Sequence, residues 1–140
     1  MKTIVTDPAH PAIALVGRIL LALIFILSGF GKLTGYSGTA AYMAGAGLPM
    51  VGLLLPLTIL IELGGGLLIA LGLFTRIIAI VMFLFLIPVS LAFHHFWDVP
   101  AAQAAMQQIQ FLKNIAIMGG MLMLAFAGPG SWSLDGRRSR

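Results

Sequence analysis

The sequence predicts an all-α integral membrane protein, a four-helix bundle with both termini in the cytoplasm. Three observations lead there. Apolar residues make up 60% of the 140 and charged residues only 9%, with a mean hydropathy of +1.07, whereas a soluble domain carries about 25% charged residues. The apolar residues gather into four continuous runs, each near the roughly 20 residues a helix needs to cross the hydrocarbon core. Continuous runs, without the alternation of barrel strands, describe helices that satisfy their own backbone groups. The third observation is the placement of the bases, which sets the orientation.

The first span covers about residues 12–32, opening after Pro8 and Pro11, interrupted by Arg18 and closing at Gly31, Lys32 and Gly35. Asp7 precedes it and Ser28-Gly29-Phe30-Gly31-Lys32 offers no small-x-small cleavage site, so the segment is expected to persist as a helix. The second covers 51–74, bounded by Pro49 and by Thr75-Arg76, with Glu62 as its one charge. The third covers 77–94 and ends in His94-His95; the fourth covers 109–127 and closes at Gly128-Pro129-Gly130. Pro56 and Pro88 lie inside spans and should bend them locally. Four crossings put Lys2, Arg18, Arg76, Arg137, Arg138 and Arg140 on one side and only Lys32 and Lys113 on the other. The positive-inside rule assigns the first group, and both termini, to the cytoplasm. Two longer connections, Leu33 to Met50 and His94 to Gln110, then face outward. Tyr36, Tyr42, Phe96, Trp97 and Trp132 take interfacial positions.

Composition also removes function classes. No cysteine is present, so disulfides, thiol relays, thiolate nucleophiles and cysteine-held iron–sulfur clusters are excluded. The pI near 10.2 does not point to nucleic acid, because the bases are scattered and no basic face forms. Four spans use most of the length and leave no separate catalytic domain.

Charges in hydrocarbon cost about 2.5–3.5 kcal/mol each on insertion scales and turn to the bundle interior. In the first helix, Arg18, Ala22, Phe25, Gly29 and Lys32 share one face; in the second, Thr58, Glu62, Gly65, Gly66 and Ile69 do; in the fourth, Lys113, Ala116, Gly120 and Leu124 do, with Asn114 beside them. These three faces of small and polar residues are expected to meet, leaving the remaining apolar faces to lipid. The candidate polar interior is therefore Arg18, Lys32, Glu62, Lys113 and Asn114. Glu62 either pairs with Arg18 to fix helix register, takes up a proton, or touches a ligand directly. A weak internal echo accompanies them: Arg18-Ile19 and Arg76-Ile77 each open a span from the same side, and glycine clusters sit in the helices that follow.

His94, His95, Trp97 and Asp98 end the third span at the outer surface and form the candidate ligand contacts. Adjacent histidines on a helix diverge, and the group falls short of a closed metal site, so no metal is expected.

Taken in order, Arg18-Ile19, Ser28-Gly29-Phe30-Gly31-Lys32-Leu33, Glu62-Leu63-Gly64-Gly65-Gly66, Leu71-Gly72-Leu73-Phe74-Thr75-Arg76, Gly128-Pro129-Gly130 and Ser133-Leu134-Asp135 resemble the DoxX family of small bacterial inner-membrane proteins. The stretch His94-His95-Phe96-Trp97-Asp98 is similar to its inner-membrane branch. The resemblance implies family positions at Arg18, Lys32, Glu62 and Asp135, and an association with quinol oxidation or with membrane oxidoreductase complexes under oxidative stress. It implies no intrinsic cofactor, with a quinone as the ligand, and a membrane oxidoreductase partner or a homo-oligomer within the lipid bilayer. On that reading Lys32, His94, His95, Trp97, Asp98 and Lys113 offer hydrogen bonds to a quinone carbonyl. A module that binds or transports a small molecule, lipid or proton, and a scaffold without catalysis, stay open beside it.

Overall fold

The computed structural model describes residues 10–138; Lys2, Asp7, Pro8 and Arg140, named above, lie outside the described residues. Helix α1 (Pro11–Thr34) begins on a proline, whose missing N–H has no partner to lose in a first turn. A short helix α2 (Tyr36–Gly45) follows. The second long helix is composite: α3 (Val51–Ile59), a π turn at Leu60–Gly64, then α4 (Gly65–Leu71). After a tight turn come α5 (Thr75–Phe93), a 3-10 turn at Phe96–Asp98, α6 (Ala101–Ala127) and the short α7 (Leu134–Arg138). Among the described residues there is no strand, and Pro11–Thr34, Val51–Leu71, Thr75–Asp98 and Ala101–Ala127 are long and apolar enough to cross a membrane. The fold is all-helical, as the sequence predicts.

Two connections differ from the sequence reading. Residues 36–45 form α2, which buries Met43 against Leu55 and Ile59 and stacks Tyr42 on Phe93 at 5.6 Å. Helix α6 starts at Ala101, well before the apolar run. Its first turns are built from alanine, glutamine and methionine, good helix formers that are too polar to register in a hydropathy reading.

All four long helices feed one core: Ala22 and Phe25 from α1, Ile69 from α4, Ala79, Met82 and Leu86 from α5, and Met121 from α6. Glycines set the spacing. A Cβ on Gly29 would lie 2.6 Å from the Leu63 nitrogen, and one on Gly66 would lie 2.9 Å from Ile26 Cγ1, so α1 and the second helix meet backbone to backbone. This antiparallel register brings Glu62 level with Lys32 at one end and Gly72 level with Arg18 at the other.

Two of the three faces read from the sequence meet; the third is corrected in part. On α6 Asn114 and Met121 are buried, Gly120 faces Leu21 of α1 and Leu124 packs against the core, while Lys113 and Ala116 are exposed. The inward face of α5, through Thr75, Ala79, Met82, Leu86 and Ser90, has no charge to announce it. A helix that is apolar all round does not reveal its inner side by periodicity. Leu20, Leu27, Leu60, Ile77 and Phe126 point outward, as they should where the solvent is hydrocarbon.

The glycine contacts supply a matched pair of variants. Gly29→Ala should destabilise the bundle by about 1–3 kcal/mol through overpacking. Gly31→Ala, where nothing lies within 4 Å, should unfold at or slightly above the wild-type temperature in detergent micelles. Equal melting temperatures for the two variants would contradict the close approach.

Candidate functional site

The polar residues divide between the two ends of the bundle. At the terminal end, where the chain enters α1 and leaves α6, Arg18 is buried at 2% exposure. Its guanidinium donates to the carbonyls of Ile69 (3.2 Å), Ala70 (3.4 Å), Trp132 (2.8 Å) and Pro129. Two of these are carbonyls of the last turn of α4, where Ile69 O also accepts from the Gly72 nitrogen at 3.1 Å, and two belong to the segment after α6. Arg76 does the same for α6, donating to Ala125 and Phe126 at 2.7 and 2.6 Å and to Ala127 at 3.5 Å. Each arginine that opens a span thus caps the C-terminus of the next one, which gives the sequence echo a physical content.

Asp135 completes this clasp. Helix α5 has Phe74 at its N-cap in a left-handed conformation (φ 51°) with no capping side chain of its own. Asp135 accepts from the Phe74 nitrogen (Oδ1, 2.9 Å), the Thr75 nitrogen and the Thr75 hydroxyl (both Oδ2, 2.9 Å), and its own nitrogen donates to Gly72 O at 2.8 Å. Burial would raise the carboxyl's pKa, but the bonds from Thr75 and Phe74 and the nearby Arg138 outweigh it and hold the group below the ordinary aspartate value. Gly72 has to be glycine: its φ is +69°, and a Cβ would lie 2.4 Å from that of Ser133 and 3.1 Å from Arg18 Cζ.

At the far end, Lys32 Nζ donates to Glu62 Oε2 at 2.8 Å and to Ser28 Oγ at 2.6 Å. Glu62 sits in the π turn with 9% of its side chain exposed, and Lys32 is 27% exposed. The pairing of Glu62 with Arg18 that the sequence left open is not formed, because the antiparallel register puts Arg18 at the opposite end of α1, about four helical turns from Lys32. Lys113 does not join the interior either; it is exposed and donates to Gln110. Asn114 is buried and donates to Ser90 Oγ at 3.0 Å, which in turn donates to Leu86 O at 2.7 Å. Ser90 was not singled out in the sequence, where a lone serine in an apolar run gives no signal of its partner.

The group after α5 separates its two histidines. His94 Nδ1 meets Gln107 Oε1 of α6 at 2.8 Å. His95 lies edge-on to Trp97 at 6.3 Å, and Phe96, Trp97 and Phe111 form a closed triangle of edge contacts with centroids 5.3–5.7 Å apart. Trp97 is 59% exposed. Asp98 is exposed and closes the 3-10 turn through its nitrogen, which donates to His95 O at 3.0 Å. Among the described residues no group of three or more histidine, aspartate or glutamate side chains is placed to hold a metal ion.

These geometries set two expectations. Asp135→Ala should cost about 1–2 kcal/mol as a lost helix cap. With a folded pKa below the unfolded value of about 3.9, the carboxylate's contribution is complete above that value and is lost as pH falls through the folded pKa. Wild-type melting temperature should therefore fall more steeply below about pH 4 than that of Asp135→Ala. At the far end, Glu62→Leu should cost about 2–4 kcal/mol by leaving the Lys32 ammonium without its carboxylate, and the double variant Lys32→Met/Glu62→Leu should recover most of it. Additive losses in that double-mutant cycle would rule out the coupling.

The DoxX family profile matches residues 13–95. That stretch includes Arg18, the Lys32–Glu62 pair, the Gly72–Arg76 turn and His94-His95. Among curated proteins, the chain is 40% identical over 129 residues to the inner membrane protein YphA of Escherichia coli strain K12, covering 92% of both chains. It is 43% identical over 121 residues to the inner membrane protein YqjF of the same strain, covering 86% of this chain and 88% of the relative. No solved structure matches it. With its four apolar helices, this chain belongs to the DoxX family and is an integral, multi-pass protein of the inner membrane.

Proposed function

We propose that the protein is a quinone-binding subunit or accessory of a membrane oxidoreductase system, with the far end of the bundle as its contact site and both termini in the cytoplasm. The observation that carries this reading is the triangle of Phe96, Trp97 and Phe111 beside His95, with the Trp97 indole more than half exposed at the end of a spanning helix. A quinone presents a flat, electron-poor ring and carbonyl acceptors on an apolar tail. Its chemical partners are aromatic faces and N–H donors at the edge of hydrocarbon; Trp97 and His95 provide that donor set, and Lys113 follows Phe111 on α6. His94, held by Gln107, fixes the turn that presents the group. A bound quinone would supply the capacity to carry electrons and protons; these side chains orient the ring and donate to its oxygens. With no cysteine in the chain, a partner supplies the electron path on this reading. The bases of the terminal end, Arg76, Arg137 and Arg138, support the cytoplasmic assignment of the termini.

A short-tailed benzoquinone added to the purified protein tests it. In a Trp132→Phe background, Trp97 emission should be quenched saturably, and His95→Phe should weaken the half-saturating concentration about tenfold, the worth of one hydrogen bond in a partly buried site. Quenching that stays linear with quinone concentration, or that is indifferent to His95, would overturn the reading.

One observation favours a second reading, a proton or solute module: the nearly buried Glu62 stands in a π turn, a helical irregularity frequent at functional sites. In proteoliposomes loaded with a pH-sensitive dye, Glu62→Gln should abolish any protein-dependent proton entry, and equal rates for the variant and the wild type would dismiss this role.

A further inference from the structure

At the terminal end a cavity of about 590 Å³ opens between α1, the end of α4 and the segment leading into α7. Its volume is that of a small-molecule site, and none of the sequence motifs assigns it an occupant. Leu15, Leu71, Trp132 and Leu134 make an apolar wall, and Arg18 and Arg137 make a basic one. We propose that this cavity binds the phosphate of an anionic acyl-chain lipid from the leaflet nearest the two termini.

The electrostatics point to an anion. Arg18 is buried, yet its hydrogen-bond acceptors are all backbone carbonyls, so its charge is offset by dipoles and by no bonded carboxylate. Asp135, the nearest acid to act on it, is engaged with Phe74 and Thr75. Arg137 is exposed, and its guanidinium makes no hydrogen bond or ion pair among the described residues. A planar fork of N–H donors of this kind matches phosphate oxygens. The apolar wall points to a lipid as the carrier. Leu71 and Trp132 are each more than half exposed, and they continue the cavity into the hydrocarbon-facing surface. Trp132 provides the ring-and-N–H chemistry of the headgroup level. A free phosphate has no use for that wall, and an uncharged lipid has none for the two arginines; basic pockets between spanning helices select anionic headgroups.

The test uses the full chain in neutral detergent micelles, in a Trp97→Phe background that leaves Trp132 as the reporter. The probes are short-chain phosphatidylglycerol, short-chain phosphatidylcholine and inorganic phosphate. Phosphatidylglycerol should shift Trp132 emission saturably, with phosphatidylcholine, whose choline offsets the phosphate charge, at least about tenfold weaker. Arg137→Gln should weaken phosphatidylglycerol by about the same factor, and Leu15→Phe, which fills the cavity, should remove the response. Both substitutions should leave the helical circular dichroism unchanged. Equal responses to the two lipids would make the contact an ordinary bilayer one and overturn the proposal. An equal shift with inorganic phosphate would overturn the lipid as carrier, and an unchanged response in Arg137→Gln would overturn the site.

Discussion

A helix that ends at the edge of hydrocarbon leaves its last carbonyls without partners, and in lipid there is no water to take them up. The terminal end of this bundle is organised around that deficit. Arg18 fills it for α4 and Arg76 for α6, while Asp135 answers the converse need of α5, whose first amides lack a cap. The glycines of the same turns exist to let these groups approach: Gly72 passes under Ser133 and Arg18, and Gly128 lies where any Cβ would meet the Arg76 guanidinium at 2.9 Å. Four of the six sequence stretches that carry the family resemblance, those at Arg18 and at residues 71–76, 128–130 and 133–135, are thus parts of one clasp.

This arrangement explains what the sequence disclosed and what it withheld. The four spans were legible because hydrophobicity is a local property, written residue by residue over lengths that match the bilayer. The Arg18–Lys32 face was legible because helical spacing is local too: four of its five predicted residues are those buried in α1, and the fifth, Lys32, is part-exposed at the helix end. Pairings were not legible. Whether Glu62 meets Arg18 or Lys32 depends on the vertical register of two helices, which Gly29 and Gly66 fix through contacts with Leu63, Phe25 and Ile26. The inward side of α5 stayed hidden because Met82 and Leu86 do not differ in character from Leu84 and Ile87, which face out. The early start of α6 was hidden by polarity, since a hydropathy reading and a helix propensity reading part company over alanine and glutamine.

The far end is built differently. There the polar groups are joined in short separate chains: Glu62 to Lys32 to Ser28, Asn114 to Ser90 to Leu86, and His94 to Gln107. Each links two elements or steadies one, and the aromatic triangle stands apart from all of them with an open face. The bundle therefore has a tightly tied end and a more loosely assembled one, and the groups suited to meet another molecule through aromatic faces are at the second.

The acceptors of Arg18 come from two stages of synthesis. Ile69 and Ala70 are made before the third and fourth spans, Pro129 and Trp132 only after both. While those spans are being made the first helix therefore holds a half-satisfied cation, which the segment after α6 completes. Assembly in this protein has a built-in finishing stroke, and a chain stalled before Pro129 retains its four hydrophobic segments yet lacks the knot that binds the first to the last.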